Sequence, residues 1–212
     1  MSTPHRTALE RDEDRIKLAE TVPAVHELIR SRWSPRAFSD REVSGEDLKT
    51  VLEAARWAAS CFNEQPWRFL VANKADPAAY EKFLGLLAPA NQSWAKTAPV
   101  LIITAARRTF SHNGSPNHYG MHDTGQALAN FFLQARALGL YGHGMGGFDR
   151  ERARQELAIP DDFEVGAAVA LGYLGSPDEL PEKYREMELA PRRRKAIDEI
   201  AFGSSWASPL TL

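Results

Sequence analysis

One cysteine, Cys61, stands in 212 residues, so no disulfide can close within the chain. That usage fits a reducing compartment, and the expectation is the cytoplasm. Long apolar runs are missing. The longest lies near Ala98–Ala106, far short of the roughly 20 residues that cross a bilayer, so no membrane partner is expected. The first 20 residues are charged and contain no apolar stretch of the kind a secretory leader needs. Neither sign of charge dominates: 26 Lys+Arg face 28 Asp+Glu, for a net charge of −2. This argues against a broad nucleic-acid surface and against a polybasic membrane patch. There is no internal repeat, no phosphate-binding P-loop and no G-x-S-x-G serine elbow. His118 and His122 are four apart with His112 nearby, but no Glu or Cys completes a ligand set, so no metal is expected.

What remains is an ordinary globular mixture, 43% hydrophobic and 25% charged. Residues 1–20 read as a charged tail and 21–212 as one domain. Val25, Leu28 and Ile29 suggest a short helix within Val22–Ile29. Ser44 opens a second helix, with Asp47 three residues on and Leu48, Val51, Leu52 and Ala55 on one face. Trp67–Ala72 reads as a strand after a turn at Ser60–Pro66. Asp76-Pro77 starts a helix whose stripe is Tyr80, Phe83, Leu84 and Leu87. Pro99–Thr104 is an unbroken apolar run suited to a strand buried on both faces. Arg107–Tyr119 reads as a long loop, Asp123–Leu138 as the strongest helix, ended by Gly139, and Leu140–Phe148 as a glycine-rich loop. Asp149 caps a helix to Leu157, and Val165–Leu174 is a strand. From Gly175 onward the chain is rich in proline and charge. The interleaving predicts an α+β fold with a small central sheet of three or four strands.

Four segments could carry chemistry. In an extended run from Arg32 to Phe38, positions 32, 34 and 36 share a side, placing Arg32, Ser34 and Arg36 together as a cradle for a phosphate. The same residues can be read as two solvated arginines on a loop. Ser60, Asn63 and Gln65 offer short amide and hydroxyl groups that could meet the edge of a flat heterocycle, or the segment could simply satisfy the turn. Gly142-His143-Gly144-Met145-Gly146-Gly147 matches G-x-G-x-x-G. A helix precedes it, however, and no acidic residue ends the next strand, so the dinucleotide fingerprint is rejected. Glycines that let backbone approach a flat ligand, or a tightly packed loop, remain as readings. Arg192-Arg193-Arg194-Lys195 is either a solvated basic face or the completion of a phosphate site begun by Arg32.

Taken together, in this order and spacing, the segments resemble the FMN-dependent nitroreductase family from about Val25 to Trp206. The most specific part is Arg32-x-Ser34-x-Arg36-x-Phe38 followed by Ser60-x-x-Asn63-x-Gln65-Pro66-Trp67. The resemblance implies a mainly antiparallel sheet among helices and an interlocked homodimer with two FMN molecules at its interface. It implies that Arg32 and Arg194 hold the phosphate, with Ser34 beside it, Trp33 adjacent and Arg192 assisting. Arg36 would sit near the ribityl chain and the flavin N1/C2 carbonyl, and Asn91 at the pyrimidine edge. Ser60, Cys61 and Asn63 would reach the flavin of the other subunit, Gln65 would be among the cofactor-binding residues, and Met145, Gly146 and Gly147 would line the ring. Departures from the pattern at Ala59, Met145 and Ala196 leave the substrate class open. The chemistry would belong to the flavin, so no catalytic side chain is expected. NADPH or NADH would donate electrons to a small acceptor such as a nitroaromatic or quinone, with ping-pong kinetics. Phe110, His112, His118 and Tyr119 would shape the substrate side. Alternatives are related flavin chemistry (dehalogenation, flavin fragmentation, oxidation of a biosynthetic intermediate) or non-catalytic FMN binding.

Overall fold

A computed structural model describes residues 15–21 and 24–211. Residues 1–14 of the charged tail, and Val22 and Pro23 of the expected first helix, lie outside the described residues. That first helix, α1, runs over Glu27–Ser31. The second, α2 (Gly45–Arg56), begins where Ser44 Oγ accepts the Asp47 N–H at 2.9 Å, closing the expected cap. Then come β1 (Trp67–Asn73), α3 (Pro77–Leu86), α4 (Pro89–Ala95) and β2 (Val100–Arg107). The chain continues through α5 (Gly120–Ala137), β3 (Tyr141–Met145), α6 (Arg150–Glu156), β4 (Phe163–Gly172) and α7 (Glu182–Leu189). Asp76 and Asp149 cap α3 and α6 through their carboxylates, and Gly139, at φ 77°, turns the chain out of α5.

The four strands form one sheet in the order β1-β2-β4-β3, and every pairing is antiparallel. Strand β2 is therefore central. Period-two alternation sends its residues to two separate cores. Leu101, Ile103 and Ala105, with Ala168 and Ala170 of β4, pack beneath Trp33, Phe38, Tyr80, Phe83 and Trp94. On the other face Val100, Ile102, Val169 and Leu171 pack against Val51 and Ala55 of α2 and Phe131 and Ala135 of α5.

Three readings of the sequence change here. Leu140–Phe148 is not a glycine-rich loop: its first half is the edge strand β3, with Met145 opposite Ala168. Gly142 is required for packing, because a Cβ there would lie 2.5 Å from the Phe132 ring. Helix α4 lies where the sequence reading placed no element; Pro89 starts it and only Trp94 and Ala95 are buried, so it has no apolar stripe. Helix α7 lies in the charge-rich tail, and its one buried residue is a glutamate, Glu188. Gly142→Ala should destabilise the fold by about 1–3 kcal/mol through overpacking, read as a lower urea midpoint with an unchanged slope.

Candidate functional site

Residues 32–37 form an extended strap across the first core, directly after Ser31 ends α1. Ser31, Trp33, Pro35 and Ala37 are buried, while Arg32, Ser34 and Arg36 are partly exposed. The alternation places the two arginines and the serine on one side, and Arg32 Nη1 donates to Ser34 Oγ at 3.3 Å. Trp33 turns the other way. It is 3% exposed, packs edge-on to Tyr141 and carries Lys17 Nζ 5.0 Å above its ring.

The strap is held from three directions. His143 on β3 meets the Pro35 carbonyl through Nδ1 at 2.8 Å, donating in the neutral tautomer that this contact requires. Glu188 on α7 accepts the Arg36 N–H at 2.8 Å and the Ala37 N–H at 3.0 Å through Oε1. Arg192 donates through both terminal nitrogens, to the carbonyls of Arg30 and Arg32. Its Nε is buried without a hydrogen-bond partner among the described residues.

Arg32, Arg192 and Arg194 stand close enough to repel one another. Burial first, and then Arg194, hold the Arg32 guanidinium below its ordinary value. Arg192 is lowered by burial, then by Arg32 and Arg194. Among the described residues no carboxylate pairs with any of the three. A convergent set of cations, two of them partly buried and the third, Arg194, exposed, without an acidic partner is a site that favours an anion. Arg36 lies beside it with its guanidinium carbon 5.6 Å from the Tyr184 ring centre and 5.9 Å from that of Trp94.

Asn91 and Gly147 meet on the same face. Asn91 Nδ2 donates to the Gly147 carbonyl at 2.9 Å, and the Ala88 N–H donates to the same oxygen at 3.0 Å. Gly146 and Gly147 are exposed, whereas Met145 is 4% exposed and belongs to the core.

The remaining site residues follow α2, which covers the opposite face of the sheet. Ser60 Oγ accepts the Gln65 N–H at 3.0 Å, Gln65 Nε2 donates to the Asn63 carbonyl at 3.0 Å, and the Cys61 N–H donates to buried Asp123 on α5 at 2.9 Å. Phe62, Asn63 and Gln65 all have φ between 52° and 55°, a left-handed conformation that side chains seldom adopt. This turn thrusts Phe62 outward, 80% exposed, against Phe110 and His112 with ring centres 5.7 Å away in both cases. Glu64 ties the turn to Ser111 through two 3.0 Å bonds. Loop 107–119 is thus fastened to the turn. Tyr119 and His118 stand exposed at its end, where α5 begins.

Asp123, Glu188, His143 and Phe62 were not singled out in the sequence. Each lies far along the chain from the backbone or ring it contacts. Among the described residues no group of three or more His, Cys, Asp or Glu could hold a metal, and no helix is long and apolar enough to cross a membrane.

Burial, and secondarily the charges of Arg36 and Arg32, push His143 from 6.5 to about 4, against the opposing effect of its bond to Pro35. Below pH 6.5 the unfolded chain therefore takes up a proton that the folded chain refuses until about pH 4. Stability should fall as pH drops through this window, and more steeply in the wild type than in His143→Gln. Urea unfolding of both proteins at pH 7 and pH 5 checks this; parallel losses would remove His143 from the account.

Comparison with known proteins agrees with this geometry. The profile of the Nitroreductase family matches residues 29–173. A protein of Archaeoglobus fulgidus, provisionally named an NADH dehydrogenase/NAD(P)H nitroreductase, is 31% identical over 150 residues, 69% of this chain and 83% of the relative. A solved oxidoreductase containing FMN is 40% identical with a TM-score of 0.85, covering 89% of this chain and 96% of its own. A protein of Desulfovibrio desulfuricans, provisionally a nitroreductase and solved in complex with FMN, is 26% identical. Its TM-score is 0.67, over 88% of this chain and 99% of its own. The match spans both the arginine strap and the strained turn, and the chain belongs to the Nitroreductase family.

Proposed function

We propose that the chain is an FMN-dependent oxidoreductase that draws electrons from NADPH or NADH and passes them to small electron-poor acceptors such as nitroaromatics or quinones. The observation that carries this reading is the cluster of Arg32, Arg192 and Arg194, which repel one another and have no carboxylate partner among the described residues. A phosphate dianion relieves that repulsion, and FMN ends in one. The oxidoreductase at 40% identity contains FMN, which supports the same choice. When bound, FMN supplies hydride acceptance and donation at its N5.

The chain's own residues bind and orient. Arg32 and Arg194 hold the phosphate with Ser34 beside them. Arg192 has both terminal nitrogens on strap carbonyls, so it assists chiefly through its charge. Arg36 brings positive charge toward the ribityl chain and the N1/C2 side of the ring, where reduced flavin carries negative charge. Asn91 spends its amide N–H on Gly147 and offers its carbonyl oxygen to the pyrimidine edge. The exposed backbone of Gly146 and Gly147 lets a flat ring come close.

Ser60, Cys61, Asn63 and Gln65 sit with the elements on the other face of the sheet. We therefore read them as completing the site of a second copy, which makes the functional unit a homodimer. Phe110, His112, His118 and Tyr119, joined by Phe62, border the acceptor side. Donor and acceptor would use the same face in turn, so initial rates should give parallel double-reciprocal plots.

The test is spectroscopic. Purified protein should be yellow, and anaerobic NADPH or NADH should bleach it; bound flavin that neither donor reduces would favour a non-catalytic binder. Arg32→Ala should weaken FMN binding about ten- to a hundredfold with the fold retained, measured by quenching of flavin fluorescence. Unchanged affinity would falsify the phosphate assignment. Sedimentation of a flavin-loaded monomer would contradict the shared site.

A further inference from the structure

Helix α7 presents a puzzle in charge. Its sequence, EKYREMEL, is polar almost throughout, and the residue it buries is an acid, Glu188, 1% exposed. Burying a carboxylate is costly, and an apolar side chain of similar size would pack there without the cost. The carboxylate has specific partners instead. Both oxygens receive the Arg36 N–H, at 2.8 and 3.1 Å, and Oε1 also receives the Ala37 N–H at 3.0 Å. Lys17 flanks it, with Nζ donating to the carbonyls of Met187 and Ala190 on either side. Burial pushes the Glu188 carboxyl up, while the two N–H groups, Arg36 and Lys17 pull it back toward the charged form. From the opposite side His143 grips the Pro35 carbonyl. Three consecutive residues of the strap, 35 to 37, are thus pinned by side chains from two distant elements, and the one between them is Arg36.

We propose that Glu188 is a positioning residue for the anion-binding strap: by accepting the peptide N–H groups of Arg36 and Ala37 it fixes where the Arg36 guanidinium stands. It acts from behind the strap and touches no ligand, since it is shut off from solvent. The consequence is that the cofactor grip of Arg36 depends on the docking of a helix some 150 residues away in sequence (the contacts span 151 and 152 positions). This rests on the flavin reading of the site.

A double-mutant cycle tests it. Protein freed of flavin is titrated with FMN for the wild type, Glu188→Gln, Arg36→Ala and the double variant. Circular dichroism and thermal melts establish that each is folded at the titration temperature. Glu188→Gln keeps one acceptor oxygen and removes the charge. Both single variants should bind FMN about tenfold more weakly. The double variant should bind no more weakly than Arg36→Ala alone, because Glu188 acts only through Arg36. A residue that merely stabilises the fold would leave FMN affinity of the folded protein unchanged, and one acting independently would multiply the two losses; either result overturns the proposal. If Arg32→Ala and Arg36→Ala both bind FMN like the wild type, the flavin reading itself fails and the proposal falls with it. If Glu188→Gln does not fold, Glu188→Asp carries the same cycle, with charge kept and reach shortened by one methylene.

Discussion

Burial of β2 on both faces is the constraint from which the rest follows. Val100–Arg107 runs through the centre of the sheet with partners on either side, and its alternate residues belong to two different cores. Helices must therefore cover both faces. The chain responds by placing the strap, α3 and α4 on one side and α2 and α5 on the other. Every polar group that could serve a ligand is dealt to one face or the other with the element that carries it. The arginines, Asn91 and the exposed glycines go with the first face, and the strained turn and the aromatic loop go with the second. That separation is why we propose a paired assembly.

Electrostatics gives each half its character. On the strap face, three guanidinium groups share a small region with no carboxylate partner among the described residues; the charged forms of Arg32 and Arg192 are disfavoured there, and an incoming anion is favoured. The acid that is present, Glu188, lies behind the strap and is consumed by peptide N–H groups. Its charge thus organises the backbone and leaves the arginine side chains free to face outward. His143 does the complementary work on a carbonyl, and burial keeps it neutral. On the turn face the currency is conformational: three non-glycine residues with positive φ are tied down by Ser60, Asp123 and Glu64, and the exposed Phe62 is the result.

Much of this was legible in the residues. Capping side chains Ser44, Asp76 and Asp149 announced their helices, because a cap is a local bond between neighbours in sequence. The apolar run at 100–104 announced the central strand. The period-two placement of Arg32, Ser34 and Arg36 needed only that the segment be extended. Illegible were β3, whose glycines read as loop until Phe132 fills the space that a side chain at Gly142 would need, and α7, whose buried face is a single acid. Neither element has the apolar period on which a sequence reading depends.

The sequence by itself determined the local pieces: where helices start, which strand lies in the middle, which side chains share a side of an extended segment, and that no disulfide can close within the chain. These depend on neighbours within a few residues, so order along the chain is enough. Tertiary structure alone decided that Glu188, His143 and Arg192 converge on one strap, and that Asp123 braces the turn at Cys61. It alone decided that the two groups of polar residues lie on opposite faces. Those facts rest on contacts between side chains and backbone groups 62 to 160 positions apart, and such contacts exist only once the sheet has brought its edges and both its covering layers into register.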